Sequence, residues 1–402
     1  MMEEKVKQLI AEYFDEIVAI RRDFHQHPEL SEQEERTMTK ISEYLTAWGI
    51  PNETNIGGHG VVGIIEGKAP AGDSRKYEAV GIRADIDALP IQEEVDCPYK
   101  SVNDGVMHAC GHDMHAAMLL GSAKILKTLE NEFRGTVKLF FQPAEETVGG
   151  ADQMIQDGCM ENPQVGAVLA FHVAPYLPTG TIEFRRGKMN AATCDLQIEV
   201  EGVSCHGAHP EGGVDAIVAA SQIVTAFQSI LSRNLAPTNA GIITVGQFHA
   251  GTKDNIVAGS AHLSGTIRAL DPDTMKTLKR RITETAEGIA AGYGAKAHVQ
   301  LTDGYPSLIN SDEVCGEMEA LAERLLGKEK MHFMPEPSLG ADDFAFFTQR
   351  CDGLYMNVGT NSGKEAKPQN IHSEYYHPDE DAMKNGILME VLGTLQLLEK
   401  AE

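Results

Sequence analysis

Residues 108–118 read HACGHDMHAAM, and they bring His108, Cys110, His112 and His115 within eight positions of one another. Thiolate and imidazole are the donors that borderline divalent ions take. Each residue alone has an ordinary explanation. A free cysteine is usually a small buried hydrophobe, and a single histidine is usually a satisfied polar group. The carboxylates elsewhere in the chain add weight to a metal reading. Asp85 and Asp87 follow the apolar run EAVGI (78–82), Glu145 and Glu146 follow TVKLFF (136–141), and His172 follows AVLAF (167–171). His372 lies in the loop beyond the last run, LYMNV (354–358). In open α/β sheets, ligands gather outside the carboxyl ends of the strands, so these runs are expected to deliver their groups to one rim.

Cys110-x-His112 supplies two donors from a single loop, and the whole set exceeds what one tetrahedral ion takes. A pair of divalent ions sharing a bridging ligand uses them and leaves a position for water, whose pKa falls to about 7 on such an ion. A carboxylate outside the coordination sphere can then take and return the proton. Adjacent Glu145 and Glu146 allow that division of roles, and a purely structural zinc site has no use for the spare acid. Other clusters are less specific. EGVSCHGAHPEGG (201–213) carries His206 and His209 in a turn-rich segment. Asn255 and Arg268 can hold an anionic group by amide and by bidentate fork. SLGADDFAFF (338–347) sets Gly340 beside an acidic turn.

Strand and helix signals alternate up to about residue 187, which predicts an α/β domain whose central mixed sheet is flanked by helices. The N-terminal stretch places Val6, Ile10, Phe14, Ile17 and Ile20 at helical spacing, with acidic residues in the first turn. Beyond Gly187 the pattern changes. DLQIEVEG (195–202), VDAIVAASQIVTAFQSIL (214–231), GIITVGQFHAG (241–251), AGSAHLSGTIRAL (258–270), DPDTMKTLKRRITETAEGIAAGYG (271–294) and AHVQL (297–301) read as β-α-β-β-α-β. Residues 188–303 are therefore expected to form an inserted α+β domain, with 1–187 and 304–402 making the larger one. Insertions of this kind leave a cleft between domains, a common location for a site. A small sheet also exposes an edge strand that dimerisation can cover.

The 402 residues carry 34 Lys and Arg against 59 Asp and Glu, a net charge of −25, which disfavours nucleic acid and anionic membranes as partners. The helical N-terminus lacks the basic start of a signal peptide, and no apolar run reaches membrane-spanning length. Seven cysteines form no regular framework, so reduced thiols in a cytoplasmic protein are expected.

Taken together, DFHQHPELSEQE (23–34), GIRADIDALPIQE (81–93), MHACGHDMHAAMLLG (107–121), FQPAEE (141–146), the His206 segment, the Asn255–Arg268 stretch, SLGADDFAFF and NIHSEYYHPDED (370–381) resemble the M20 metallopeptidase family in its amidohydrolase subgroup. That subgroup includes aminoacylase-like, hippurate-hydrolase-like and auxin-conjugate-hydrolase-like enzymes. The resemblance implies a catalytic domain plus a dimerisation and lid domain. It implies two divalent ions held by Cys110, His112, Glu146, His172 and His372, with zinc favoured and manganese, cobalt or nickel as alternatives. By the same resemblance Glu145 is the general base, Asp87 orients a ligand, and His206 stabilises the oxyanion from a partner subunit. Asn255 and Arg268, with Gly340 nearby, hold the substrate carboxylate.

The implied reaction is hydrolysis of the amide bond of an N-acyl amino acid by a homodimeric enzyme. A dipeptidase or exopeptidase of the same family, and a non-catalytic protein with a structural metal, are the alternatives. Two departures from the wider family stand out: Asp85 where most members carry His, and Cys110 where a bridging Asp is usual. The usual Gly-x-Glu-Asp run also reads Gly340-Ala341-Asp342-Asp343 here.

Overall fold

The computed structural model describes residues 2–70, 76–364 and 370–399. The chain divides into two compact units, one of Met1–Gly187, Ile309–Pro335 and Asp343–Glu402, the other of Lys188–Leu308 and Glu336–Asp342.

The first unit is built on an eight-stranded mixed sheet in the order Asn52–Ile56, Gly60–Lys68, Arg134–Gln142, Ala79–Asp85, Val165–Pro178, Asp352–Asn361, Ile182–Phe184 and Met331–Phe333. The α/β class expected from alternating signals is borne out. The four central strands, Arg134–Gln142 through Asp352–Asn361, run parallel to one another, while the flanking strands Gly60–Lys68 and Ile182–Phe184 pair with them antiparallel. The carboxyl ends of the central four therefore share one edge. Such strands are buried on both faces and read as continuous apolar runs rather than alternating ones; Ala79–Asp85 is buried at every position.

Two helices in this unit, His112–Thr128 and Ala382–Leu398, are apolar almost all round, and both are almost wholly buried. The amphipathic helix Met2–Gln26 covers them, burying Val6, Leu9, Ile10, Ile17, Ile20 and Phe24. Among the buried residues of Ala382–Leu398 is one carboxylic acid, Glu390. Its carboxyl is 1 % exposed and accepts a hydrogen bond from Ser122 Oγ. Burial lifts it to about 8. The folded state thus favours the protonated form, and stability falls as pH rises from the unfolded carboxyl value through about 8. Glu390→Gln is expected to flatten this slope and stabilise the protein at alkaline pH, by at most about 5 kcal/mol at about 1.4 kcal/mol per pH unit. Chemical-denaturation midpoints from about pH 5 to about pH 9 check this, the two proteins converging at the acid end.

The second unit has a four-stranded antiparallel sheet in the order Gly241–Ala250, Ser260–Ala269, Ala192–Glu201, Lys296–Asp303, backed by helices Ala216–Arg233 and Pro272–Gly292. Strand Ala192–Glu201 alternates, burying Ala192, Cys194, Leu196, Ile198 and Val200 while its other residues face outward. Each helix opens on an aspartate cap. Asp215 accepts from the amides of Ile217 and Val218, and Asp271 from that of Thr274, with Pro272 in the first turn. Among the described residues no helix is long and apolar enough to cross a membrane.

Candidate active site

Three chain segments reach the shared strand edge of the first unit. Asp85 ends its strand opposite Gln142, so the turns that follow, Ile86-Asp87 and Pro143–Glu146, leave side by side. His172 lies within Val165–Pro178 rather than after it. Pairing with Asp352–Asn361 carries that strand on to Pro178, and Asn357 stands opposite His172. A fourth segment enters at Gly111, which caps helix His112–Thr128 in the left-handed region at φ 88°. A Cβ there would lie 2.5 Å from Val173 Cγ2, so only glycine lets Cys110 and His112 approach the strand. The helix begins at His112, so that His112 leaves the loop on the first helical residue. His372 arrives on a loop anchored by its own amide, which donates to Ala109 O at 2.8 Å, with φ at 60°.

These segments bring the candidate ligands together. Cys110, His112 and His172 offer donor atoms within 4.8 Å of one another; so do Cys110, Glu146 and His372, and so do His112, Glu145 and Glu146. Cys110 Sγ lies 3.4 Å from His172 Nε2, and His372 Nε2 lies 3.2 Å from Glu146 Oε1.

Hydrogen bonding sorts the histidines. His112 Nδ1 faces only oxygens, Asp87 O at 3.0 Å and Asp87 Oδ1 at 3.1 Å, so it donates and leaves Nε2 with a free lone pair. His172 Nδ1 likewise donates to Val173 O at 2.8 Å. His115 is different. Its Nδ1 lies 2.5 Å from Asp85 Oδ1, and its Nε2 accepts from the Val173 amide at 3.0 Å, so neither nitrogen is available to an ion. His108 is buried, makes no hydrogen bond, and is lowered to about 4 by burial, which keeps it neutral.

The surrounding charges are buried and paired. Asp87 Oδ2 accepts from the Glu146 amide at 3.0 Å and from Ser31 Oγ at 2.7 Å. Asp85 joins His115 to Arg83, whose Nη1 is 2.6 Å away; Arg83 Nη2 reaches Asp343 Oδ1 at 2.8 Å. Burial opposes ionisation of Asp85, but Arg83, His112 and His115 outweigh it and hold the carboxyl well below its ordinary range. Asp85 is thus the anionic centre of a positioning network, a use that its difference from the wider family left open. Behind the helix start, Asp113 Oδ2 is 2.8 Å from both Arg21 Nε and His25 Nδ1, and His25 Nε2 is 3.1 Å from Glu93. Sequence reading did not single out Ser31, Glu34, Arg83, His25 or Glu93 as individuals, although all lie in segments quoted above.

The remaining candidates lie in the second unit and fall into two pairs. Strand Cys205–His206 pairs with Ile256–Val257, and the Gly207 amide donates to Asn255 O at 2.8 Å, which sets exposed His206 next to exposed Asn255. Half-buried Arg268 donates from Nη1 to Leu339 O at 2.8 Å, beside Gly340, whose carbonyl accepts from the Ala191 amide.

The donor set fits divalent ions on its own chemistry. Thiol, imidazole and carboxylate converge, and buried His112 Nε2 makes no hydrogen bond, 3.9 Å from Glu146 Oε1. A buried imidazole nitrogen without a partner is costly unless a cation fills the site.

Comparison with known proteins agrees. Residues 81–392 match the pattern of peptidase family M20/M25/M40. The chain belongs to this family. It is 37 % identical over 401 residues to thermostable carboxypeptidase 1 of Saccharolobus solfataricus, covering 99 % of each chain. It is 36 % identical to the N-acetyl-L-cysteine deacetylase of Bacillus subtilis, over 86 % of this chain and 80 % of that one. A solved Bacillus subtilis structure described as a dinuclear metal binding peptidase from the M20 family superposes with a TM-score of 0.83 at 31 % identity, over 96 % of this chain and 99 % of that one. Like its M20 relatives, the protein is a hydrolytic enzyme.

Proposed function

We propose that this M20 enzyme is a metal-dependent amidohydrolase that cleaves the amide bond of N-acyl amino acids. The observation that carries the reading is the placement of two adjacent acids in one donor cluster. Glu145 and Glu146 both approach His112, and Glu146 also joins Cys110 and His372. Cys110, His112, Glu146, His172 and His372 would hold two divalent ions, zinc before manganese, cobalt or nickel, and Asp87 would fix the His112 tautomer. Such a pair supplies a Lewis acid for the scissile carbonyl and makes a water nucleophilic near neutral pH.

Glu145 takes the proton of the attacking water as the C–O bond forms. It returns that proton to the amide nitrogen as the C–N bond breaks, leaving a carboxylic acid and a free amine. Arg268 and Asn255, with the Gly340 backbone, hold the carboxylate of the amino-acid half. His206 donates to the carbonyl oxygen as negative charge builds there, from the second copy of a homodimer. The edge strand Gly241–Ala250, with Ile242 and Phe248 exposed, supports a dimer formed through the second unit. Seven free cysteines suit the reducing cytoplasm.

A carboxypeptidase-named relative favours a second reading, release of a C-terminal residue from a peptide. The test is side-by-side hydrolysis of N-acetyl amino acids, N-blocked dipeptides and free dipeptides by protein reloaded with each divalent ion. Fastest turnover of free dipeptides rejects the reading. Arg268→Ala is expected to raise KM for carboxylate-bearing substrates about tenfold or more while leaving the corresponding amides unaffected, because a charged hydrogen bond is lost.

A further inference from the structure

The segment DFHQHPELSEQE (23–34) holds none of the five ligands assigned above, yet three of its side chains reach the elements that carry them. His25 meets Asp113 beside His112, Ser31 donates to Asp87, and Glu34 accepts from the Ala144 amide at 2.8 Å. Glu34 is the most unusual of them. It is 0 % exposed, and its Oε2 makes no hydrogen bond. Burial raises its carboxyl to about 7. A buried carboxyl with one satisfied oxygen destabilises a fold, so the position needs another reason to be acidic.

That reason lies in its partner. Ala144 stands at φ 54°, a left-handed conformation that a residue with a Cβ adopts only when its surroundings impose it. It is also the residue immediately before Glu145. If the Ala144 peptide turns back to an ordinary conformation, Glu145 leaves its place beside His112.

We propose that Glu34 is a positioning residue for proton transfer: its carboxyl oxygen pins the Ala144 amide, holds the left-handed turn, and thereby fixes Glu145 against the donor cluster. This rests on the assignment of Glu145 as the proton carrier.

The test compares three substitutions in the metal-loaded enzyme, using an N-acetyl amino acid as substrate. Glu34→Gln keeps an acceptor oxygen at the same reach without charge. Glu34→Asp keeps the charge but withdraws the oxygen by one methylene. Glu34→Ala removes both. Expected kcat lies within about threefold of wild type for Gln, and falls about tenfold for Asp and up to about a hundredfold for Ala, the range of one hydrogen bond involving an ionisable group. KM and bound metal should stay within about twofold, the pattern of an interaction felt only in the transition state.

Adding Ala144→Gly to Glu34→Ala should restore most of the loss, since glycine adopts positive φ without help. Wild-type kcat in the Asp variant, a Gln variant as slow as Ala, or loss of metal in step with kcat overturns the proposal. If Glu34→Ala does not fold, the order of Gln and Asp decides alone. Glu145→Gln run in parallel separates the two ideas. Retained turnover there rejects the proton carrier, whereas its loss together with an unaffected Glu34→Ala rejects only the brace.

Discussion

Glu145→Gln is expected to leave a folded, metal-loaded protein that binds substrate and turns it over about a thousandfold more slowly, within the range seen when a general acid–base group is removed. Glutamine matches glutamate in size, so the turn at Ala144 and the Glu146 amide bond to Asp87 have no cause to move. What is lost is a group that can take a proton and give it back. Steady-state kinetics with metal analysis on the same sample checks this. Turnover within tenfold of wild type would move the proton-transfer role to another residue. Parallel loss of metal would place Glu145 among the ligands instead.

The second large effect concerns Cys110, the one residue common to the Cys110–His112–His172 and Cys110–Glu146–His372 groups. A thiol that would serve two ions could not be removed without disturbing both. Cys110→Ala is therefore expected to abolish stoichiometric binding of both ions and with it all activity. His172→Ala and His372→Ala should each weaken one ion by more than the roughly hundredfold that losing an outer hydrogen-bond partner costs, and leave the other in place. Metal content after dialysis, with titration calorimetry on the apoprotein, distinguishes two, one and no ions per chain. A Cys110→Ala protein that retains one tight ion would show that the thiol serves a single site.

Residue types and local order carried much of this arrangement. The runs at 78–82, 136–141 and 167–171 could be read as parallel strands because continuous apolar stretches mark strands buried on both faces. Parallel strands place their carboxyl ends together by geometry alone. The β-α-β-β-α-β order after Gly187 was equally plain, because Ala192–Glu201 alternates and Asp215 and Asp271 cap their helices. What stayed hidden depends on contacts between residues far apart in the chain.

Four donors in HACGHDMH look equivalent on paper. Only the Val173 amide, 58 residues away in strand Val165–Pro178, withdraws His115 by occupying its second nitrogen. Nor does any local pattern reveal that Ala144 takes a glycine-like conformation, since alanine carries no turn signal. Ser31 and Glu34 sit in an unremarkable polar stretch, and their partners lie 56 and 110 positions away. The same limit applies to Asp85, whose partner Asp343 comes from the far end of the chain by way of Arg83.

The parallel pairing of Val165–Pro178 with Asp352–Asn361 also bears on how the protein is made. The two strands sit at the middle of the eight-stranded sheet, yet the ribosome produces them far apart in time. Until the second emerges, the first presents an unsatisfied ladder of amides and carbonyls along a long apolar strand, a template for association with other nascent chains. The smaller unit has its four sheet strands between Ala192 and Asp303 and can complete its own core in that interval. Synthesis thus passes through a stage with a finished insert and an open eight-stranded sheet, in which chaperone engagement and premature termination have their greatest consequence.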